Sequence, residues 1–206
     1  TLYIIPTSST SGTAKPPSGS GAAAASFSFA GITAPATQVI NLPAGVVMSG
    51  VVRDASNNPV QGASVSISTT GGGSQLAALY TSADGAYSFT LAAGTYQLRV
   101  YRSGSGSAAP TNLDVRSTFT LTTSVQQDIK IPAIPVELTA VGPSGTPIPG
   151  TALTGQGGYS AANTHLISGD SVSYAAWDSS ATTGPDGKAT LYIIPTSSTS
   201  GTAKPP

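Results

Sequence analysis

The chain has 206 residues, with 8 basic and 8 acidic side chains that cancel, no cysteine, 24 glycines and 16 prolines. Charged residues at 8%, against about 25% in ordinary soluble proteins, leave no electrostatic footprint for nucleic acid or an anionic membrane. Without cysteine, disulfides and thiolate metal sites are excluded, and no apolar run is long enough to span a bilayer as a helix.

Residues 1–17, TLYIIPTSSTSGTAKPP, recur without a change as residues 190–206. Internal repetition outranks other sequence signals for architecture. The period is 189 residues, so the chain reads as a window on a tandem array, overlapping its own start. In each copy the first five residues are expected to form a strand at the repeat junction, with the remainder as loop. They are Thr1, Leu2, Tyr3, Ile4 and Ile5, and again Thr190, Leu191, Tyr192, Ile193 and Ile194. Further along, Ser18–Gly21 reads as loop, while Ser26–Phe29 and Thr37–Ala44 read as extended segments.

From residue 46 the pattern is regular. Val46–Asp54 opens a strand that ends in a turn cluster at Ser56–Pro59. Ala63, Val65 and Ile67 alternate with serines, the period of a half-buried strand. Leu76–Thr81 is extended, and Asp84 and Gly85 make a tight turn. Tyr87, Phe89 and Leu91 then share one face, followed by Tyr96, Leu98 and Val100. A polar loop leads to Val115–Leu121, and Val125, Ile129 and Ile131 mark the last strand. About seven short strands with no helical period predict an all-β fold, an immunoglobulin-like antiparallel sandwich.

The spacing Gly50-x-Val52-x-Asp54, then Pro59-Val60-x-Gly62-Ala63, Asp84-Gly85-x-Tyr87-x-Phe89 and Leu91-x-Ala93-Gly94-Thr95-Tyr96 resembles the carboxypeptidase regulatory-like domain. That resemblance implies a transthyretin-like β-sandwich, related to the Cna-B-type repeats of surface adhesins. It implies accessory or spacer modules and no chemistry, because fold does not imply function.

Residues 135–206 read as a second, divergent copy. Pro143–Pro147 matches the turn at Asn57–Pro59, and Gly184–Lys188 matches Ala83–Ala86, with Thr190–Ile194 aligned on Tyr87–Leu91. Its last two strands are expected from residues 18–45 of the following repeat, where Ser26–Phe29 aligns with Thr118–Leu121 and Thr37–Ala44 with Gln126–Ala133. Three parts result: 1–45 as the C-terminal half of a second-type sandwich, 46–134 as a complete sandwich, and 135–206 as the N-terminal part of the second type. Pro-stiffened junctions at Pro43–Gly45 and Pro132–Pro135 separate them. Sandwiches stacked end to end would give a repeat of roughly 60–80 Å.

Candidate chemistry is thin. His165 and Glu137 are the sole members of their types, no nucleophile-elbow motif surrounds the histidine, and the aspartates cluster at turns. No catalytic, cofactor-binding or metal-ligating residue is expected, and calcium would need more oxygen ligands than any loop offers. A Cna-B-type isopeptide fails in the first sandwich for want of a lysine on the opening strand. In the second, Glu137 has Lys188 or Lys204 as a partner, for a crosslink or, the better expectation, a surface ion pair. Trp177, Tyr174 and Tyr159 fall in one region and form either a glycan platform or, for Trp177, a core anchor.

The composition resembles that of prokaryotic cell-surface proteins, so an extracellular location is expected. The sequence predicts a non-enzymatic structural unit of a filament, stalk or giant adhesin. Its partners are adjacent copies, joined covalently or by strand exchange. The alternative is a carbohydrate-binding or accessory module whose partners are surface glycans.

Overall fold

A computed structural model describes residues 9–17, 20–32, 34–71, 73–161 and 164–206, with no side-chain description of Thr10 or of residues 159–161. Fifteen strands and no helix occur among the described residues. Thr1–Ile5 lies outside them.

The first sandwich is built from β3 (Val46–Arg53), β4 (Ser64–Thr69), β5 (Gln75–Tyr80), β6 (Ala86–Leu91), β7 (Gly94–Ser103), β8 (Asn112–Leu121), β9 (Val125–Gln126) and β10 (Ile129–Lys130). The chain continues with β11 (Ile134–Thr139), β12 (Ala152–Ala161), β13 (Ser171–Thr182), β14 (Lys188–Ile193) and β15 (Thr196–Lys204). Near the start, β1 (Ser9–Ala14) and β2 (Ala25–Ala30) make a two-stranded antiparallel sheet among the described residues.

The backbone of the molecule is one seven-stranded sheet, ordered β15-β12-β13-β8-β7-β4-β5. Two small sheets go with it: β3 with β6, β9 and β10, and β11 with β14. The period of two along β8 puts Leu113, Val115, Phe119 and Leu121 inward, and β13 continues that face with Ala175 and Trp177. Against them lie Met48, Val52, Tyr87, Phe89, Ile129 and Ile131, all buried in the same cluster. Each such side chain is worth about 1.5–3 kcal/mol of burial.

Three expectations are corrected here. The two sandwiches do not stack end to end. They share a sheet, because β8 and β13 pair edge to edge over Asn112–Thr118 and Ser171–Asp178. With strands about 4.8 Å apart, the seven-stranded sheet is roughly 30 Å across, so the two units sit side by side. The pairing is not wholly antiparallel, since β9 and β10 both run parallel to β3. And the Ser/Thr tail of the junction stretch is not loop: it is β15, paired with β12 from Lys204 opposite Ala152 to Thr196 opposite Ala161.

The second sandwich repeats the first bond for bond. The Val52 N–H donates to Gly85 O at 2.9 Å, and the Ala140 N–H to Gly187 O at 2.8 Å. The Val60 N–H donates to Val52 O, as the Ile148 N–H does to Ala140 O. The Thr81 hydroxyl accepts from the Ala63 N–H and donates to Val60 O; the Thr183 hydroxyl accepts from the Thr151 N–H and donates to Ile148 O. Gly85 and Gly187 share a left-handed backbone, and a Cβ on either would lie within 3 Å of a carbonyl oxygen, Val52 O or Ala140 O. This equivalence sets Ala189 against Tyr87 and Ile193 against Leu91, one residue earlier than the sequence alignment. The pairing Ile134↔Ile193 matches Val46↔Leu91. Leu191, in the place of Phe89, is accordingly buried.

Candidate assembly interface

Strand by strand, β11, β12, β13, β14 and β15 stand where β3, β4, β5, β6 and β7 stand. Nothing among the described residues stands where β8, β9 and β10 would. The outer edge of β15 has no strand partner there, and all its residues except Thr196 are exposed. The side of β11 that β9 and β10 cover in the first sandwich is likewise bare, leaving Ile134, Leu138 and Val141 exposed.

Apolar side chains are also open near the other end of the chain. Within β2, Phe27 and Phe29 share one face with ring centroids 5.1 Å apart, and both are only half-buried. Val39 is 81% exposed and Ile40 is 37% exposed, although Ile129, with which Ile40 aligns, is fully buried. Strand β1, identical in sequence to residues 198–203, pairs with β2 from Ser9 opposite Ala30 to Ala14 opposite Ala25.

The register shows how volume is distributed. In the first sandwich Leu98 lies between Ile67 of β4 and Ser117 of β8. At the equivalent place in the second, Gly201 lies opposite Gly155 of β12. The counterpart of Gly201 in the first copy of the repeat, Gly12, lies opposite Phe27. The first sandwich pairs large with small, Leu98 with Ser117, and the β1–β2 pair sets small against large, Gly12 with Phe27. Phe29, two residues on, lies opposite Thr10.

Of the residues singled out from sequence, Thr190, Leu191, Tyr192 and Ile193 lie on β14, and Ile194 follows it fully buried. The glycan platform is corrected. Trp177 is 4% exposed on the inner face, its Nε1–H donating to Thr196 Oγ1 at 3.3 Å. Tyr174 lies on the opposite face of β13, with the Arg116 guanidinium 4.9 Å from its ring centroid. The two rings cannot be coplanar, and the side chain of Tyr159 lies outside the described residues. Glu137 and Lys188 meet at 2.7 Å as an exposed ion pair. His165 is 63% exposed and contacts Asp170, whose carboxylate also accepts from the Leu166 and Ile167 N–H groups and so ties a turn.

The outer face carries a polar network that sequence reading missed. Arg99 and Arg116 both bind the Asp114 carboxylate, at 2.8 and 2.9 Å. Burial pushes that carboxyl up, but the hydrogen bonds from the two guanidiniums outweigh it and hold it below the usual range. Beside this network runs a groove of about 460 Å³ lined by Tyr101, Tyr174, Asp178, Gln156 and Ser200. In the first sandwich the Tyr87 hydroxyl donates to Gln127 O, and burial pushes its pKa well up. Gly50 lets that segment approach, since a Cβ there would lie 2.2 Å from Gln127 O.

The family model of the carboxypeptidase regulatory-like domain matches residues 47–127. The match covers less than half of the chain, and over that segment the chain is similar to a carboxypeptidase regulatory-like domain. The regulatory-like domain takes in β3 to β9 less the first residue of β3, and the match stops short of β10 and of all the second-sandwich strands. No curated protein matches the chain. Among solved structures, a streptococcal ancillary pilin is 17% identical, covering 88% of this chain and 66% of its own, with a TM-score of 0.32. A shaft pilin of Lactobacillus rhamnosus GG is 11% identical over 77% of this chain and 86% of its own, with a TM-score of 0.32. The 5-hydroxyisourate hydrolase of Klebsiella pneumoniae is 23% identical over 42% of this chain and 84% of its own, also with a TM-score of 0.32.

Proposed function

We propose that the chain is the structural unit of an extracellular, prokaryotic cell-surface filament or stalk with a period of 189 residues. Its three parts are 1–45, 46–134 and 135–206, each copy's first 45 residues completing the sandwich begun in the copy before. The observation that carries this reading is the identity of residues 1–17 and 190–206, set, among the described residues, on a sheet edge without a strand partner near one end of the chain and in a two-stranded pair near the other. Unpaired edges are costly to leave open and are ready templates for another strand. Adjacent copies are the partners, the role is mechanical and non-enzymatic, and a near-neutral Ser/Thr surface suits an exposed spacer that avoids charge-driven adhesion. Immunogold labelling of intact cells with an antibody to this chain tests it. Labels along thin surface fibres are expected; labels confined to the cell interior would overturn it.

Glycan binding is a second reading, favoured by the groove between Tyr101 and Tyr174 and its polar side chains Asp178 and Gln156. Saturable binding on a polysaccharide array that Tyr101→Ala abolishes would support it.

A further inference from the structure

We infer that β15 accepts β2 of the following copy in the register that β1 already displays, so that Phe27 of that copy fills the space above Gly201. This rests on the proposed repeat reading and names the surface that joins one copy to the next.

The chain contains the same strand twice, once paired with β12 and once with β2, and the inference places those two partners on opposite edges of it. As β15 it pairs with β12, and its inward residues Thr199, Gly201 and Ala203 lie opposite Gly157, Gly155 and Leu153. As β1 it pairs with β2, and the matching residues Thr10, Gly12 and Ala14 lie opposite Phe29, Phe27 and Ala25. Cross-strand partners share a face, so superposing the copies gives a three-strand order β12-β15-β2. Trp177 then covers one flank of the Gly155–Gly201 row and Phe27 the other. The glycines in the middle carry no side chain because the aromatics on both sides supply the volume. A Cβ on Gly12 would lie 2.6 Å from Phe27 Cζ, so this site admits glycine alone while the ring stays in place.

One consequence is specific to this chain. Strand β1 holds β2 on the edge that β15 would use. Between separate chains it therefore caps the hairpin, and β2 joins a neighbouring chain only when β1 lets go; in a continuous array the β1 of the following copy is β15 itself.

The test uses the full chain with Ser11→Pro and Gly12→Pro. Two adjacent prolines remove an N–H from β1 whichever residue faces β2, and they leave β15 intact. The chain has no cysteine, so single thiols are unambiguous. One preparation carries Ser28→Cys and another Ser200→Cys, because Ser28 lies opposite Ser11, the counterpart of Ser200. Mixed under mild oxidation, they are expected to form a heterodimer several-fold faster than the slipped pair Ser26→Cys with Ser200→Cys. Adding Phe27→Ala is expected to slow that crosslink, and restoring Ser11 and Gly12 to slow it as well. A slipped pair that links as fast, or no link from either pair, would overturn the inference. Either failure leaves the structural-filament reading to be judged on the surface labelling alone.

Discussion

Phe27 rests directly on Gly12: its Cζ lies 2.6 Å from where a glycine Cβ would be. The same glycine recurs as Gly201, on a strand whose inward face is otherwise threonine and alanine. A strand with so little apolar volume forms part of a core only when its neighbours supply the bulk. In the β1–β2 pair the large residue, Phe27, stands opposite a glycine, whereas in the first sandwich Leu98 stands opposite Ser117.

Trp177 supplies that bulk from the β13 side. Trp177→Ala is expected to cost about 3–5 kcal/mol in urea unfolding followed by circular dichroism. Tyr174→Ala, on the other face of the same strand, should leave stability within about 1 kcal/mol of the parent. Equal losses would contradict the assignment of the two faces.

Thr81 and Thr183 each clamp one sandwich through a buried hydroxyl that both accepts and donates. Valine at either position keeps the shape and strands an N–H and a carbonyl. A loss of about 1–3 kcal/mol is expected for each, again by urea unfolding. A neutral Thr183→Val would show that the second sandwich does not depend on the clamp.

Much of the fold was legible in the sequence, and what was not has a physical cause. The alternation at Ser64–Thr69, Tyr87–Leu91 and Tyr96–Val100 announced strands because large apolar residues met small polar ones at period two. Strand β15 and much of β12 escaped because Ser, Thr, Gly and Ala give no such contrast, the neighbouring volume being carried by Trp177 on another strand. The join between the sandwiches also escaped. It is made by backbone pairing of β8 and β13, which side-chain patterns do not encode. The glycan platform failed because Tyr174 and Trp177 are three residues apart in a strand, an odd spacing that puts them on opposite faces.

Asp128 accepts from Arg53 Nε at 2.6 Å and from the Val51 N–H. The Arg53 bond, with the Val51 N–H and the guanidinium charge, outweighs the small burial cost and holds the carboxyl below its ordinary value. A depressed folded pKa contributes stability that is present above the unfolded value of about 3.9 and lost as pH falls through the folded one. Asp128→Asn is therefore expected to flatten the acid limb of a stability–pH profile below about pH 4 and to leave its slope near neutrality unchanged. An unchanged acid limb would remove Asp128 from the account. High salt should shrink the effect, since both partners are partly exposed.

Gly50 admits the Gln127 carbonyl where no side chain fits. Gly50→Ala should cost about 1–3 kcal/mol and loosen β9 and β10, seen as faster amide exchange in residues 125–131. Retained protection there would contradict the close approach.

In the proposed array the second sandwich is finished by the following copy. Hydrogen exchange on two chains tests it most directly: residues 1–206, and the same chain extended by a further residues 18–206. Amides of Thr196–Lys204 that point away from β12 are expected to exchange freely in the single chain. In the extended chain, the same amides of the first copy should become protected, along with Ala25–Ala30 of the second. Unchanged exchange across β15 in the extended chain would contradict the account.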